Sequence, residues 1–224
     1  MERFFDIVFS SLALIVLSPL LVPLILTLRL SGEGEIFFLQ DRIGKDGRIF
    51  KLYKFATMLK DSPNMGTGTV TMRDDSRVLP VGRFLRRTKI NELPQLLNIF
   101  FGDMSVIGPR PLTDQTFGSY SANTQNIIKQ VRPGLSGVGS IIFRGEEEIM
   151  HGTTASFTFY DTVISPYKGS LEEWFVANKS LYIYFMAIFI TIWAVFYPKT
   201  NFAWLIFKGL PKPPKELKLA LNCR

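Results

Sequence analysis

VGRFLRRTKINELPQLLNIFFGDMSVIGPRP, residues 81–111, is the stretch on which the reading of this chain turns. Two arginines, Arg86 and Arg87, stand just before a helix start, and Arg110 follows between Pro109 and Pro111. This is the texture of a phosphate-handling site. Such a site usually places a carboxylate at the helix entrance. Here the chain offers an amide, Asn91, and then an acid, Glu92. One reading is purely local. Asn91 is a good N-cap, its side-chain oxygen accepting from the N2 or N3 amide, with Pro94 in the first turn and Glu92 favoured by the helix dipole. That predicts a helix from about Glu92 to Phe101. The other reading is chemical. A helix N-terminus seats phosphate oxygens, Arg86 and Arg87 clamp a diphosphate, and Arg110 is rigidly presented by its prolines. Glu92 and Asp103 are oxygen ligands for a divalent cation, and Mg²⁺ typically joins one or two carboxylates to substrate phosphates. The cap does not decide between the two, because an aspartate at position 91 would cap equally well.

The 224 residues allow one sizeable domain plus appendages. The mean hydropathy is slightly positive and phenylalanine is abundant, so the apolar residues are concentrated somewhere. A net charge of +7 points to an anionic partner: nucleic acid, anionic lipid or a phosphorylated substrate. One cysteine, Cys223, excludes an intrachain disulfide, and the lone His151 excludes a multi-histidine metal site. Ile7 to Leu28 carries no charge and as a straight helix is roughly 33 Å long, enough to cross a bilayer. Ser18-Pro19 sits in its middle, and proline removes a backbone donor there, so a kink near Ser18 is expected. The two halves make either a kinked span or a re-entrant helix that returns to the same face. A second uncharged run, Ser180 to Pro198, is flanked on both sides by basic segments. By the positive-inside rule both flanks are cytoplasmic, so this aromatic-rich helix is expected at the membrane interface or packed on the domain, with Phe202 to Phe207 as an apolar plug.

Between them lies a polar region. EIFFLQDRIGKDGRIFKLYKFATM, residues 35–58, reads as two strands about the Gly44-Lys-Asp-Gly47 turn. Asp61 to Arg77 is a polar loop with the length of a lid. Arg144 to Met150 is acidic, its Glu146-Glu147-Glu148 read as a solvated face, and no internal repeat is visible. The expected fold is α+β and mostly helical. Residues 1–30 form a membrane helix broken at Ser18-Pro19, 31–170 a small catalytic domain, and 171–224 interfacial amphipathic helices and a basic tail.

Several stretches together resemble the bacterial sugar transferases, the monotopic phosphoglycosyl transferases that start glycoconjugate assembly. They are RFFD at 3–6, Ser18-Pro19, QDRIGKDGRIFKLYKFATM at 40–58, the stretch at 81–111 and VRPGLSG at 131–137. The resemblance covers Arg3 to about Tyr197. It implies a re-entrant, monotopic helix in the bacterial inner (cytoplasmic) membrane, with the catalytic domain facing the cytoplasm. It implies transfer of a sugar-1-phosphate from a UDP-sugar to undecaprenyl phosphate, with release of UMP and a requirement for Mg²⁺. That is the first membrane step of exopolysaccharide, lipopolysaccharide O-antigen or other glycoconjugate assembly. An Asp-Glu dyad supplies the nucleophile in the family, and it falls on Asn91 and Glu92. The phosphate-binding and nucleotide-binding cations fall on Lys54, Arg86 and Arg110, and the metal-binding acids on Glu92 and Asp103. The implied partners are the UDP-sugar, undecaprenyl phosphate and anionic lipid; a homodimer is left open. No nucleic-acid motif is present, and the aromatics cluster in apolar runs rather than a basic groove. The chain departs from the family in three places: Asn91 replaces the dyad aspartate, Ala56 replaces an arginine, and VGSIIFRGEEE follows VRPGLSG. Two readings follow, an active transferase using Glu92, or an inactive variant of the same fold that binds substrates or scaffolds a pathway.

Overall fold

A computed structural model describes residues 1–65, 75–144, 159–197, 202–218 and 220–221. His151, Glu146 to Glu148, Cys223 and the centre of the polar loop, 66–74, lie outside the described residues. The described chain forms two compact units, each gathered from separate segments. One contains Asp6–Asp41 and Lys51–Phe101; the other contains Met1–Phe5, Arg42–Phe50 and Gly102–Arg224.

The helix α1, Glu2–Leu30, contains both Pro19 and Pro23. Among the described residues it is the one helix long and apolar enough to cross a membrane. Leu12, Ile15, Val16, Leu20, Val22 and Leu26 are all exposed along it. The break expected at Ser18-Pro19 does not divide it into two helices. Pro19 has no N–H to give to the Ile15 carbonyl, and the Ser18 hydroxyl donates to that same oxygen at 2.7 Å. The Thr27 hydroxyl likewise donates to the Pro23 carbonyl at 2.9 Å.

In the first unit, the foot of α1 joins a small core. Leu28, Phe55 and Leu85 are buried together, with Leu21, Leu24, Ile25, Ile36, Val81 and Ile90 packed around them. Each such side chain contributes about 1.5–3 kcal/mol when fully buried. Phe55 lies on β2, Ile49–Phe55, which pairs with β1, Phe37–Ile43. The two strands flank the expected turn, where Asp46 and Gly47 take positive φ. Leu85 lies on α2, Pro80–Arg87. Helix α2 lies directly on the chain leaving β2, because a Cβ at Gly82 would collide with the Thr57 carbonyl. The polar loop is anchored at both described edges. Arg77, itself buried, pairs with Asp75 at 2.6 Å and donates to the Ser62 and Met65 carbonyls. Helix α3, Gln95–Phe101, is tied to β2 by Asn98, which is fully buried. Its Oδ1 accepts the Tyr53 N–H at 3.0 Å and its Nδ2 donates to the Lys51 carbonyl at 2.8 Å.

In the other unit, two three-residue strands, β3 (Ser105–Ile107) and β4 (Gly134–Ser136), pair in parallel. Around them lie α4 (Asp114–Gly118), α5 (Ala122–Ile128), α6 (Val138–Ile142) and α7 (Ser165–Ala177). Helix α8, Leu181–Phe196, packs on both strands and on α6, and Ser136 bonds Thr191 at 2.8 Å. Its buried stripe, Ile183, Ala187, Ile190 and Ala194, follows the helical period. Its opposite face exposes Phe189, Ile192, Val195 and Phe196. At 16 residues it falls short of the roughly 20 needed to span a bilayer. The short α9, Ala203–Ile206, follows; of the expected plug, Ala203 and Phe207 are fully buried while Phe202 and Leu205 are exposed.

Replacing Asn98 with alanine removes both anchors and leaves a donor and an acceptor of β2 unpaired. The expected loss is about 2–4 kcal/mol, seen as a thermal midpoint lowered by several degrees in detergent; an unchanged midpoint contradicts this account of the β2–α3 junction.

Candidate active site

Helix α2 ends at Arg87, and the chain turns through Lys89, whose φ of 59° is left-handed. A 3-10 turn, Ile90–Glu92, follows and packs on α2. This overturns the capping reading of Asn91. The Glu92 N–H donates to the Lys89 carbonyl and the Leu93 N–H to the Ile90 carbonyl, each at 3.1 Å. The Leu96 and Leu97 amides donate to Leu93 and Pro94 carbonyls, so the regular helix starts at Gln95 rather than near Glu92. These early amides already have backbone acceptors. Asn91 is left within the turn, 8% exposed, and its Oδ1 is buried with no hydrogen-bond partner.

The same unit holds three more expected site residues. Glu92 is half-buried beside Asn91. Arg86, half-buried on α2, donates to Met58 Sδ at 3.6 Å, a weak acceptor. Lys54 is half-buried on β2. Ala56, where the resemblance leads one to expect an arginine, is buried and donates its N–H to the Ile36 carbonyl at 2.9 Å.

Asp103 and Arg110 belong to the other unit. Asp103 is half-buried just before β3. Arg110 is exposed, yet the backbone around it is fixed on every side. Gly108 N–H donates to Ser136 O at 2.9 Å, and Gly134 N–H to Pro109 O at 2.8 Å. Arg42 Nη1 donates to Pro111 O at 3.0 Å, and Ile43 N–H to Leu112 O at 2.9 Å. Arg110 and Lys129 line a depression together with Phe117, Ile43 and Gly44.

Sequence reasoning missed Glu172. It lies on α7 and is 4% exposed. It accepts the Arg110 backbone N–H, while its Oε2 is buried without a partner. Burial pushes its carboxyl up to about 7, against the opposing pull of that N–H and of the Lys168 and Arg110 charges. Lys168 itself sits 5.1 Å from the Phe143 ring centre and 5.6 Å from that of Tyr160. The available signal was faint: Glu172 falls three residues before Phe175 on the buried stripe of α7, but its neighbour Glu173 masks it as one more charged pair.

Comparison with known proteins supplies the family. Exopolysaccharide production protein ExoY of Sinorhizobium fredii (strain NBRC 101917 / NGR234) is 33% identical over 208 residues, covering 87% of this chain and 84% of that protein. A UDP-N-acetylgalactosamine-undecaprenyl-phosphate N-acetylgalactosaminephosphotransferase of Aeromonas hydrophila is 33% identical over 85% of this chain and 42% of its own length. The UDP-glucose:undecaprenyl-phosphate glucose-1-phosphate transferase of Escherichia coli (strain K12) is 37% identical over 67% of this chain, which spans a third (33%) of it. The family described as Bacterial sugar transferase matches residues 1–198, and the chain belongs to it.

Proposed function

We propose that this chain transfers a sugar-1-phosphate from a UDP-sugar to undecaprenyl phosphate, releasing UMP, at the bacterial cytoplasmic membrane, as an early step of exopolysaccharide assembly. The observation that carries the reading is the match along residues 1–198 to a family whose relatives are named for that transfer. The apolar helix α1 and the apolar outer face of α8 support a membrane setting. A re-entrant α1, bent at Pro19, is the topology that the family resemblance implies, and the basic segments on both sides of Ser180 to Pro198 support a cytoplasmic face for that part of the chain.

On this reading Glu92 is the nucleophile. Its carboxylate attacks the sugar-bearing phosphorus, a new P–O bond forms, and the P–O bond to the leaving UMP breaks. A phosphate oxygen of undecaprenyl phosphate then attacks the same phosphorus and frees Glu92. Arg86 and Lys54 hold phosphate oxygens in the glutamate's unit, and Arg110 holds the nucleotide diphosphate. Among the described residues no three acid, histidine or cysteine groups cluster. Glu92 and the unpartnered Asn91 Oδ1 nevertheless give one turn two oxygen donors. These two would hold Mg²⁺, an ion that typically joins one or two carboxylates to substrate phosphates. Its contribution when bound is to neutralise charge on the diphosphate.

A second reading keeps the binding and drops the turnover. It is favoured by Asn91 itself, a neutral carboxamide standing where the family's nucleophilic carboxylate is expected. The two separate in one assay: UMP release from a panel of UDP-sugars, with undecaprenyl phosphate and Mg²⁺, in detergent or native-like lipid particles. The protein is expected to release UMP, and Glu92→Gln to lose about a thousandfold or more of it. Release by Asn91→Asp alone sinks the active reading and leaves a binding-competent, silent enzyme. In the same assay Arg110→Ala is expected to raise the donor KM by about ten- to a hundredfold with kcat little changed, the worth of a charged hydrogen bond made before reaction. An unaltered KM removes Arg110 from the donor site.

A further inference from the structure

The geometry points to Glu172 as a positioning residue for Arg110, holding the Pro109-Arg110-Pro111 backbone so that the guanidinium is presented to a nucleoside diphosphate. This rests on the reading of Arg110 given above. Proline has no N–H, so Arg110 supplies the one backbone donor of that tripeptide. Its acceptor is Glu172. The carboxyl reaches it because residue 139 is glycine; a Cβ there would collide with Glu172 Oε1.

Packing alone does not call for an acid at this place. A carboxyl that is 4% exposed, with one oxygen unpartnered, destabilises the fold relative to an apolar side chain. What it provides is a fixed tether from the buried face of α7 to an exposed arginine. The neighbours support this reading. Helices α5 and α6, which pack on α7, carry no ionisable side chain. The turn Tyr160–Ile164 contributes Tyr160 and Asp161. Lys168 and Arg110 are the cations that act on Glu172. With its carboxyl pushed up to about 7, the tether changes strength near neutrality. The ionised form takes the Arg110 N–H in a charge-assisted bond, and the protonated form holds it more weakly.

The test uses the full chain in detergent and UDP as the probe, so that it does not depend on turnover. UDP affinity is measured for the unaltered protein, Glu172→Ala, Arg110→Ala and the double variant. Glu172→Ala is expected to weaken UDP about tenfold in the unaltered background and less than about twofold beside Arg110→Ala, since the tether acts only through that side chain. Equal losses in both backgrounds, or no loss in either, overturn the inference while leaving Arg110 in the donor site. If Arg110→Ala itself leaves UDP binding intact, the reading of Arg110 fails first and the inference with it. Should Glu172→Ala not fold, Glu172→Gln keeps the shape and a neutral acceptor. It is expected to match the unaltered protein at about pH 6 and to bind UDP at least about threefold more weakly at about pH 8. Taking the ratio of the two proteins at each pH removes the titration of UDP itself; a ratio that is flat, or that runs the other way, overturns the proposal.

Discussion

Leu28, Phe55 and Leu85 bury themselves against one another, and the placement of the candidate nucleophile's turn follows from that contact. A long apolar helix has no reason to stop at a defined depth or rotation by itself. Here its last turns meet β2 and α2, and Ile90 of the turn Ile90–Glu92 packs on the same cluster. The turn bearing Asn91 and Glu92 is thus buttressed by the foot of the membrane-competent helix. For the proposed chemistry between a water-soluble donor and a lipid acceptor, fixing that turn to the one described helix apolar enough to enter lipid is an economical arrangement. Gly82 serves the same end, since any side chain there would lift α2 off the chain leaving β2.

What was legible in the sequence was what depends on short-range rules. The uncharged run of α1 and the Gly44–Gly47 turn between two strands are set by composition and local backbone freedom. The limits came where the backbone's own hydrogen bonds, or a distant strand, decide. Asn91 has every local mark of a cap, but the neighbouring carbonyls of Lys89 and Ile90 take the amides first. The left-handed Lys89 that makes this possible has no signature, since lysine is not a residue that favours positive φ. The strands β3 and β4 are three residues each and pair in parallel across a long separation, too short for alternation to show. At Ser18-Pro19 the serine hydroxyl meets, within the helix, the carbonyl that proline leaves without an N–H.

The same contrast runs through the buried polar groups. Asn98 satisfies two backbone groups of β2 and behaves as structural polar residues do. Asn91 and Glu172 each leave an oxygen unpaired, which a stable fold ordinarily avoids. Both lie at places where a charged ligand is proposed to arrive. Unsatisfied groups of this kind are retained where their partner is not part of the chain, or where holding a neighbour matters more than the last increment of stability.

Position 91 carries the argument one step further. At 8% exposure, with no hydrogen bond to its side-chain oxygen, it is a costly setting for an ionised group. A carboxylate there loses hydration and gains no donor from the turn, so its pKa would rise unless a cation or a bound phosphate clamp compensated it. An amide occupies the same volume without that penalty and still offers one oxygen. The adjacent Glu92 is only half-buried. On the proposed reading, the two environments fit a division of labour, with the negative charge on the second member of the pair and a neutral oxygen on the first.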